Sequence, residues 1–214
     1  MKYYRSFIVV FAMFALLSGC GGSSEVPQNA VDHSQMDHSS MDHSQMDHSQ
    51  MQSSPGAAEA PYDLQFIDTM IAHHEGAVEM AKLGETHGSD EQLKKLAKAM
   101  AEAQEREITQ MKRWRSDWFK DAKPAINMDF PGMKEGMDGM DMKKLGELKG
   151  PDFDKEFINQ MIPHHEGAIK MSEDLIGQTG NKAAKPELKK LAETILKDQK
   201  DEIEYMKKLL DGWK

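Results

Sequence analysis

The chain writes the same helical phrase twice, and that duplication limits its fold more than any other feature. Asp63 to Lys82 reads DLQFIDTMIAHHEGAVEMAK; 91 positions on, Asp154 to Glu173 reads DKEFINQMIPHHEGAIKMSE, with 11 of 20 positions identical. A second stretch follows each copy, since Leu93 to Met111 and Leu188 to Met206 share 9 of 19 positions at a spacing of 95. All four stretches place apolar residues at three- and four-residue intervals, the period of an amphipathic helix. A helical hairpin cannot bury its apolar stripe alone, so two related hairpins are expected to close on each other. The expected fold is all-α, a four-helix bundle of two hairpins at 62–118 and 151–214, joined by a Met- and Gly-rich crossover at 119–150.

Local punctuation agrees. Ser89-Asp90-Glu91 is an N-terminal cap with acidic residues behind it, Gly150-Pro151-Asp152 opens a third helix, and Pro186-Glu187 opens a fourth.

The segment ahead of the hairpins has a different character. Lys2 and Arg5 precede an apolar run from Phe7 to Leu17 that is too short to span a bilayer, and the run ends in Leu17-Ser18-Gly19-Cys20. That ending resembles a lipobox, so residues 1–19 are expected to be a lipoprotein signal peptide and Cys20, the chain's one cysteine, its lipid-bearing residue. Residues 20–61 lack large apolar side chains and are expected to form a disordered tether. Within it, Asp32 to Met51 repeats DHS(Q/S)M four times, aligning His33, Met36, His38, Met41, His43, Met46, His48 and Met51.

Charge narrows the partners. With 27 Lys+Arg against 36 Asp+Glu the chain carries −9, and removing residues 1–19 takes away two positive charges to give −11. Such a balance disfavours nucleic-acid binding.

On a helical wheel Met70, His74, Ala77 and Ala81 share the apolar face of the first repeat, with His73 and Met80 on its flank. Met161, His164, His165, Ala168 and Met171 repeat the arrangement. Gly76-Ala77 leaves room for a neighbouring element. The partner stripe Leu93, Leu96, Met100, Gln104, Glu107, Met111, Trp114 is apolar except at Gln104 and Glu107, and its repeat is broken at Gln199 and Glu202. A carboxylate on a core-facing stripe is costly unless paired, and the simplest partner is an imidazole N–H of the adjacent His-His pair.

Two readings of these residues stand side by side. The His/Glu layer could fix helix register, with Met filling gaps, in a structural or interaction module of the cell envelope whose tail is a solvated spacer. Alternatively the layer holds metal. The 18 methionines in 214 residues favour the second reading. Thioether sulfur suits Cu(I) and its mimic Ag(I), imidazole with carboxylate suits Cu(II), and zinc or nickel is the runner-up. Met133, Met137, Met140 and Met142 of the crossover join the candidate ligands. No enzyme is expected, because neither a Glu-x-x-His di-iron pair nor a His-Glu-x-x-His zinc motif is present, and Cys20 is assigned to lipid.

The phrases FIDTMIAHHEGAVEMA and FINQMIPHHEGAIKMS resemble the signature of the domain-of-unknown-function 305 family, ferritin-like helical bundles, over about residues 61–214. The resemblance implies a four-helix fold, export, and periplasmic copper binding or tolerance, and does not imply catalysis; a copper efflux or chaperone partner is a further expectation for an exported copper binder. By position it carries over to His73, His74, Met70 and Met80, and to His164, His165, Met161 and Met171. Ala72 stands where the second copy has Pro163, so a helix irregularity is expected in the second half alone.

Overall fold

The structure, a computed structural model, describes residues 51–180 and 184–213. Four long helices carry it: α1 (Tyr62–His87), α2 (Glu91–Trp118), α5 (Gly150–Gly177) and α6 (Pro186–Gly212), with two short helices, α3 (Met133–Met137) and α4 (Met142–Glu147), in the crossover. A 3-10 turn, Ala57–Glu59, precedes α1. The predicted helix starts hold for local reasons. The Asp90 carboxylate accepts from the backbone N–H groups of Gln92 and Leu93 at 2.7 and 2.9 Å, while Pro151 and Pro186 occupy first-turn positions whose N–H groups would have no partner.

α1 packs along α2, α5 along α6, and the two hairpins meet mainly through α1 and α5. That central pair explains a difference in composition. α1 is buried on most sides, including Gln65, Asp68 and Thr69, whereas α2 and α6 bury one stripe each and send Lys and Glu to solvent.

Each hairpin is pinned by an aspartate from the other. The Asp154 carboxylate of α5 accepts from Ser89 N (2.9 Å), Ser89 Oγ (2.5 Å) and Asp90 N (3.0 Å), fixing the α1–α2 turn. Its repeat equivalent, Asp63 of α1, accepts from Lys185 N at 3.1 Å at the start of α6.

Pro163 does not break α5, which runs unbroken from Gly150 to Gly177, so the expected irregularity is not an interruption of the helix.

The crossover departs from a loose Met-rich connection. Met133, Met137 and Met140 are 0%, 2% and 6% exposed, and they fill the groove between α1 and α5 as core residues. Small residues on the long helices make that groove. A Cβ on Gly167 would lie 2.6 Å from the Gly132 carbonyl oxygen and 2.7 Å from Gly136 Cα, so α3 rests backbone to backbone on α5. On Gly76, the equivalent glycine of α1, the Met140 and Met137 side chains take the space instead. Gly132 enters α3 at φ 94°, a left-handed conformation that other residues adopt only with strain.

The segment expected as tether is also ordered at its end. Ser54 N donates to the Ile126 carbonyl (2.8 Å), Ile126 N and Met128 N donate to the Ser54 and Ser53 hydroxyls, and Ala57 is buried. Residues 51–61 therefore belong to the folded body, because hydroxyl and backbone groups replace the missing apolar side chains as their anchor. Among the described residues no helix is long and apolar enough to cross a membrane.

Candidate metal centre

The two His-His pairs face each other across the α1–α5 contact. His73, His74, His164 and His165 are all fully buried, as are Met70, Met80, Met161 and Met171. The His73 and His164 rings lie 3.7 Å apart, centroid to centroid, tilted by 35°. Within each pair the spacing is nearly the same, 6.2 Å for His73–His74 and 6.4 Å for His164–His165. Duplication in sequence has become a pseudo-symmetric layer in space.

The expected imidazole–carboxylate pairs are present. His74 Nε2 lies 2.7 Å from Glu107 Oε2, and His165 Nε2 lies 2.8 Å from Glu202 Oε2. Both carboxylates keep partial contact with solvent, at 15% and 22% exposure, so their charge stays hydrated on one side while the imidazoles are dry. A neutral imidazole donating Nε2–H to the carboxylate leaves its lone pair on Nδ1. Those Nδ1 atoms, in His74 and His165, are buried and without a hydrogen-bond partner among the described residues.

The layer contains further unsatisfied groups. Among the described residues, neither ring nitrogen of His73 reaches a partner with full hydrogen-bond geometry, and the buried amide oxygens of Gln104 and Gln199 have none. Burial holds the His73 pKa well below the usual histidine range, helped by the neighbouring His164, His74 and His165 and offset only in part by the His164 backbone. His73 is a neutral ring at physiological pH. Gly136 lids it: a Cβ there would lie 2.6 Å from His73 Nε2 and 3.2 Å from the His164 carbonyl.

Among the described residues no group of three or more His, Cys, Asp or Glu side chains is placed to hold a metal ion. Met70 and Met161, the buried thioethers nearest in sequence, lie one helical turn before each His-His pair. Met133, Met137 and Met140 belong to the same core cluster, and Met142, half-buried, packs against it. Met51 is half-buried at the surface. Residues 1–19 and Cys20, His33, Met36, His38, Met41, His43, Met46 and His48 lie outside the described residues.

Residues 10–115 and 63–210 each match the family described as Domain of unknown function (DUF305). The chain belongs to this family. Solved relatives agree in fold. CopM in its Cu(I)-bound form is 37% identical, with a TM-score of 0.59 over 71% of this chain and 96% of that one. CopM in an Ag-bound form, obtained by co-crystallisation, is 37% identical with a TM-score of 0.58 over 71% and 96%. A DUF305 protein from Streptomyces coelicolor is 29% identical with a TM-score of 0.61 over 74% and 95%. A curated relative, Uncharacterized protein L153 of Acanthamoeba polyphaga mimivirus, is 41% identical over 58 residues, 27% of this chain and 36% of that protein's length. The DUF305 match spans both hairpins, so each His-His pair sits inside a family unit.

Proposed function

We propose that this DUF305 protein binds and buffers copper outside the cytoplasm, holding Cu(I), and Ag(I) as its mimic, in the imidazole and thioether layer between its two halves. One observation carries the reading: the buried layer is not self-satisfied. A polar layer that only fixed register would pair its groups, since a buried orphan costs about 1–3 kcal/mol. Here the Nδ1 atoms of His74 and His165 and two glutamine oxygens are left without partners among the described residues, and His73 has only the His164 backbone to turn to. Glu107 and Glu202 orient the lone pairs as the outer carboxylate of a histidine–metal site does. Relatives crystallised with Cu(I), Cu(II) and silver support the choice of ion. Zinc and nickel are the runner-up, because thioether sulfur is a poor ligand for them. The role is binding rather than catalysis.

Thermal melts of the full chain test the reading, because metal held by the native state and not by the unfolded one raises stability, by about 2.7 kcal/mol at roughly a hundredfold excess over Kd. Wild type should gain stability with Cu(I) under anaerobic, reducing conditions. His73→Ala/His74→Ala should lose much of that gain. A wild-type melting curve that Cu(I) leaves in place would sink the interior site.

Anchoring is read from Cys20 in Leu17-Ser18-Gly19-Cys20. Cys20→Ala should move the expressed protein from the membrane fraction to the soluble exported fraction, because acyl chains on that cysteine are the expected membrane anchor.

A further inference from the structure

Three methionines that are far apart in sequence line one surface cleft. The cleft measures about 380 Å³ and takes in Met51, Met128 and Met137, together with Asp129, Asp138 and Lys134. It differs from the interior layer in having no imidazole. It differs from the core in being open: Met51 and Met128 are half-buried, while Met137 is 2% exposed. Apolar gap-filling does not require thioethers on an open cleft beside two carboxylates.

The backbone behind the cleft is fixed. Met128 N donates to Ser53 Oγ at 2.9 Å, tying the strand of chain that bears Met51 to the one that bears Met128. Asn127 N donates to Thr69 Oγ1 and its side-chain amide to Gln65 Oε1, both at 2.9 Å, nailing that stretch to α1. Met137 is held from below, where its methyl group lies 3.6 Å from the position of a Cβ on Gly76. A thioether set positioned this way loses little freedom on binding.

Chemistry selects the ligand. Thioether sulfur binds hard cations and zinc poorly, and three thioethers with no imidazole among the described lining residues favour a soft monovalent d10 cation. Asp129 and Asp138 outweigh Lys134 by one charge and supply an attractive field. Met51 is also the last residue of the DHS(Q/S)M repeat, so the cleft begins where that run of soft ligands ends.

We propose that this cleft is a second soft-metal site, taking Cu(I) or Ag(I) on the sulfurs of Met51, Met128 and Met137. Its choice of cargo rests on the copper reading above, but none of the four interior histidines lines the cleft.

The test uses the full chain carrying Met36→Leu, Met41→Leu and Met46→Leu, labelled with methyl-13C methionine and titrated with Ag(I). The Met51, Met128 and Met137 methyl resonances, assigned from single Met→Leu variants, should shift together with one shared midpoint. Met128→Leu, a volume-conserving change at a half-buried position, should weaken Ag(I) binding read at Met51 by about tenfold or more. His73→Ala/His74→Ala should leave the three shifts in place. Separate midpoints, no shifts, or a Met51 response indifferent to Met128→Leu would overturn the site. Failure of the interior reading looks different, with a Cu(I) gain in the melts that His73→Ala/His74→Ala leaves intact while the three methyl groups still respond.

Discussion

At the scale of single residues, the geometry assigns unequal consequences to chemically similar changes. Glu107 accepts from His74 Nε2 at 2.7 Å and so decides which nitrogen keeps the lone pair. Glu107→Gln keeps the volume but removes the charge, and its amide can rotate to present a donor. It should weaken Cu(I) binding to the interior layer by about 10- to 100-fold, read as a reduced Cu(I)-dependent rise in melting temperature with the metal-free value little changed. The paired glycines give a second contrast. A methyl group on Gly167 would collide with the Gly132 and Gly136 backbone at 2.6 and 2.7 Å, whereas one on Gly76 meets the Met140 methyl group at 3.1 Å, the far end of a flexible side chain. Gly167→Ala should cost about 1–3 kcal/mol or more, while Gly76→Ala should fall within about 1 kcal/mol of wild type, offset by alanine's better helix propensity. Urea denaturation of the two variants checks the order, and equal costs would mean that α3 yields as easily as a methionine.

At the scale of elements, the duplication becomes reciprocal bracing. Asp63 and Asp154 are the same position of the repeat, and each crosses to the other hairpin. Asp154 accepts three hydrogen bonds at the α1–α2 turn against one for Asp63, so Asp154→Ala should be the more destabilising, by about 1–3 kcal/mol against about 1. Hydrogen exchange should find the α1–α2 turn, not the α6 start, loosened in Asp154→Ala. This bracing was not legible in the sequence, because an aspartate at the start of a helix reads first as a favourable charge on its own helix dipole. Helix starts were legible, since Asp90, Pro151 and Pro186 act on groups within one turn. The histidine–carboxylate pairing was legible too, because Gln104 and Glu107 interrupt one apolar stripe at the places where Gln199 and Glu202 interrupt the other. The crossover was not. Whether Met133, Met137 and Met140 hang in solvent or fill a groove depends on a surface that Gly76 and Gly167 create only when α1 and α5 are side by side.

At the scale of the whole molecule, the two halves meet through a dry layer of histidine, and acid should act on that seam. His73 is fully buried, 3.7 Å from the His164 ring, and its pKa is held well below the usual range by desolvation first and then by His164, His74 and His165. In the unfolded chain a histidine takes up a proton near pH 6.5. Between that pH and its depressed native pKa the unfolded state therefore binds one more proton than the native state. Stability rises with pH wherever the unfolded state holds more protons, so acidification below about pH 6.5 should lower stability, by at most about 1.4 kcal/mol per pH unit from His73 alone. Carboxylates add their own dependence only nearer pH 5 and below, which leaves a window between about pH 6.5 and 5 in which the histidine contribution dominates. Urea denaturation of the chelator-treated protein at several pH values in that window should give this slope, and His73→Gln, which cannot titrate, should flatten it by about one proton. An unchanged slope in His73→Gln would mean that the acid sensitivity resides elsewhere in the bundle. Bound Cu(I) should raise the curve without flattening it, since metal on the imidazole and thioether layer adds to native-state stability as long as the layer stays unprotonated, and that gain is lost in acid.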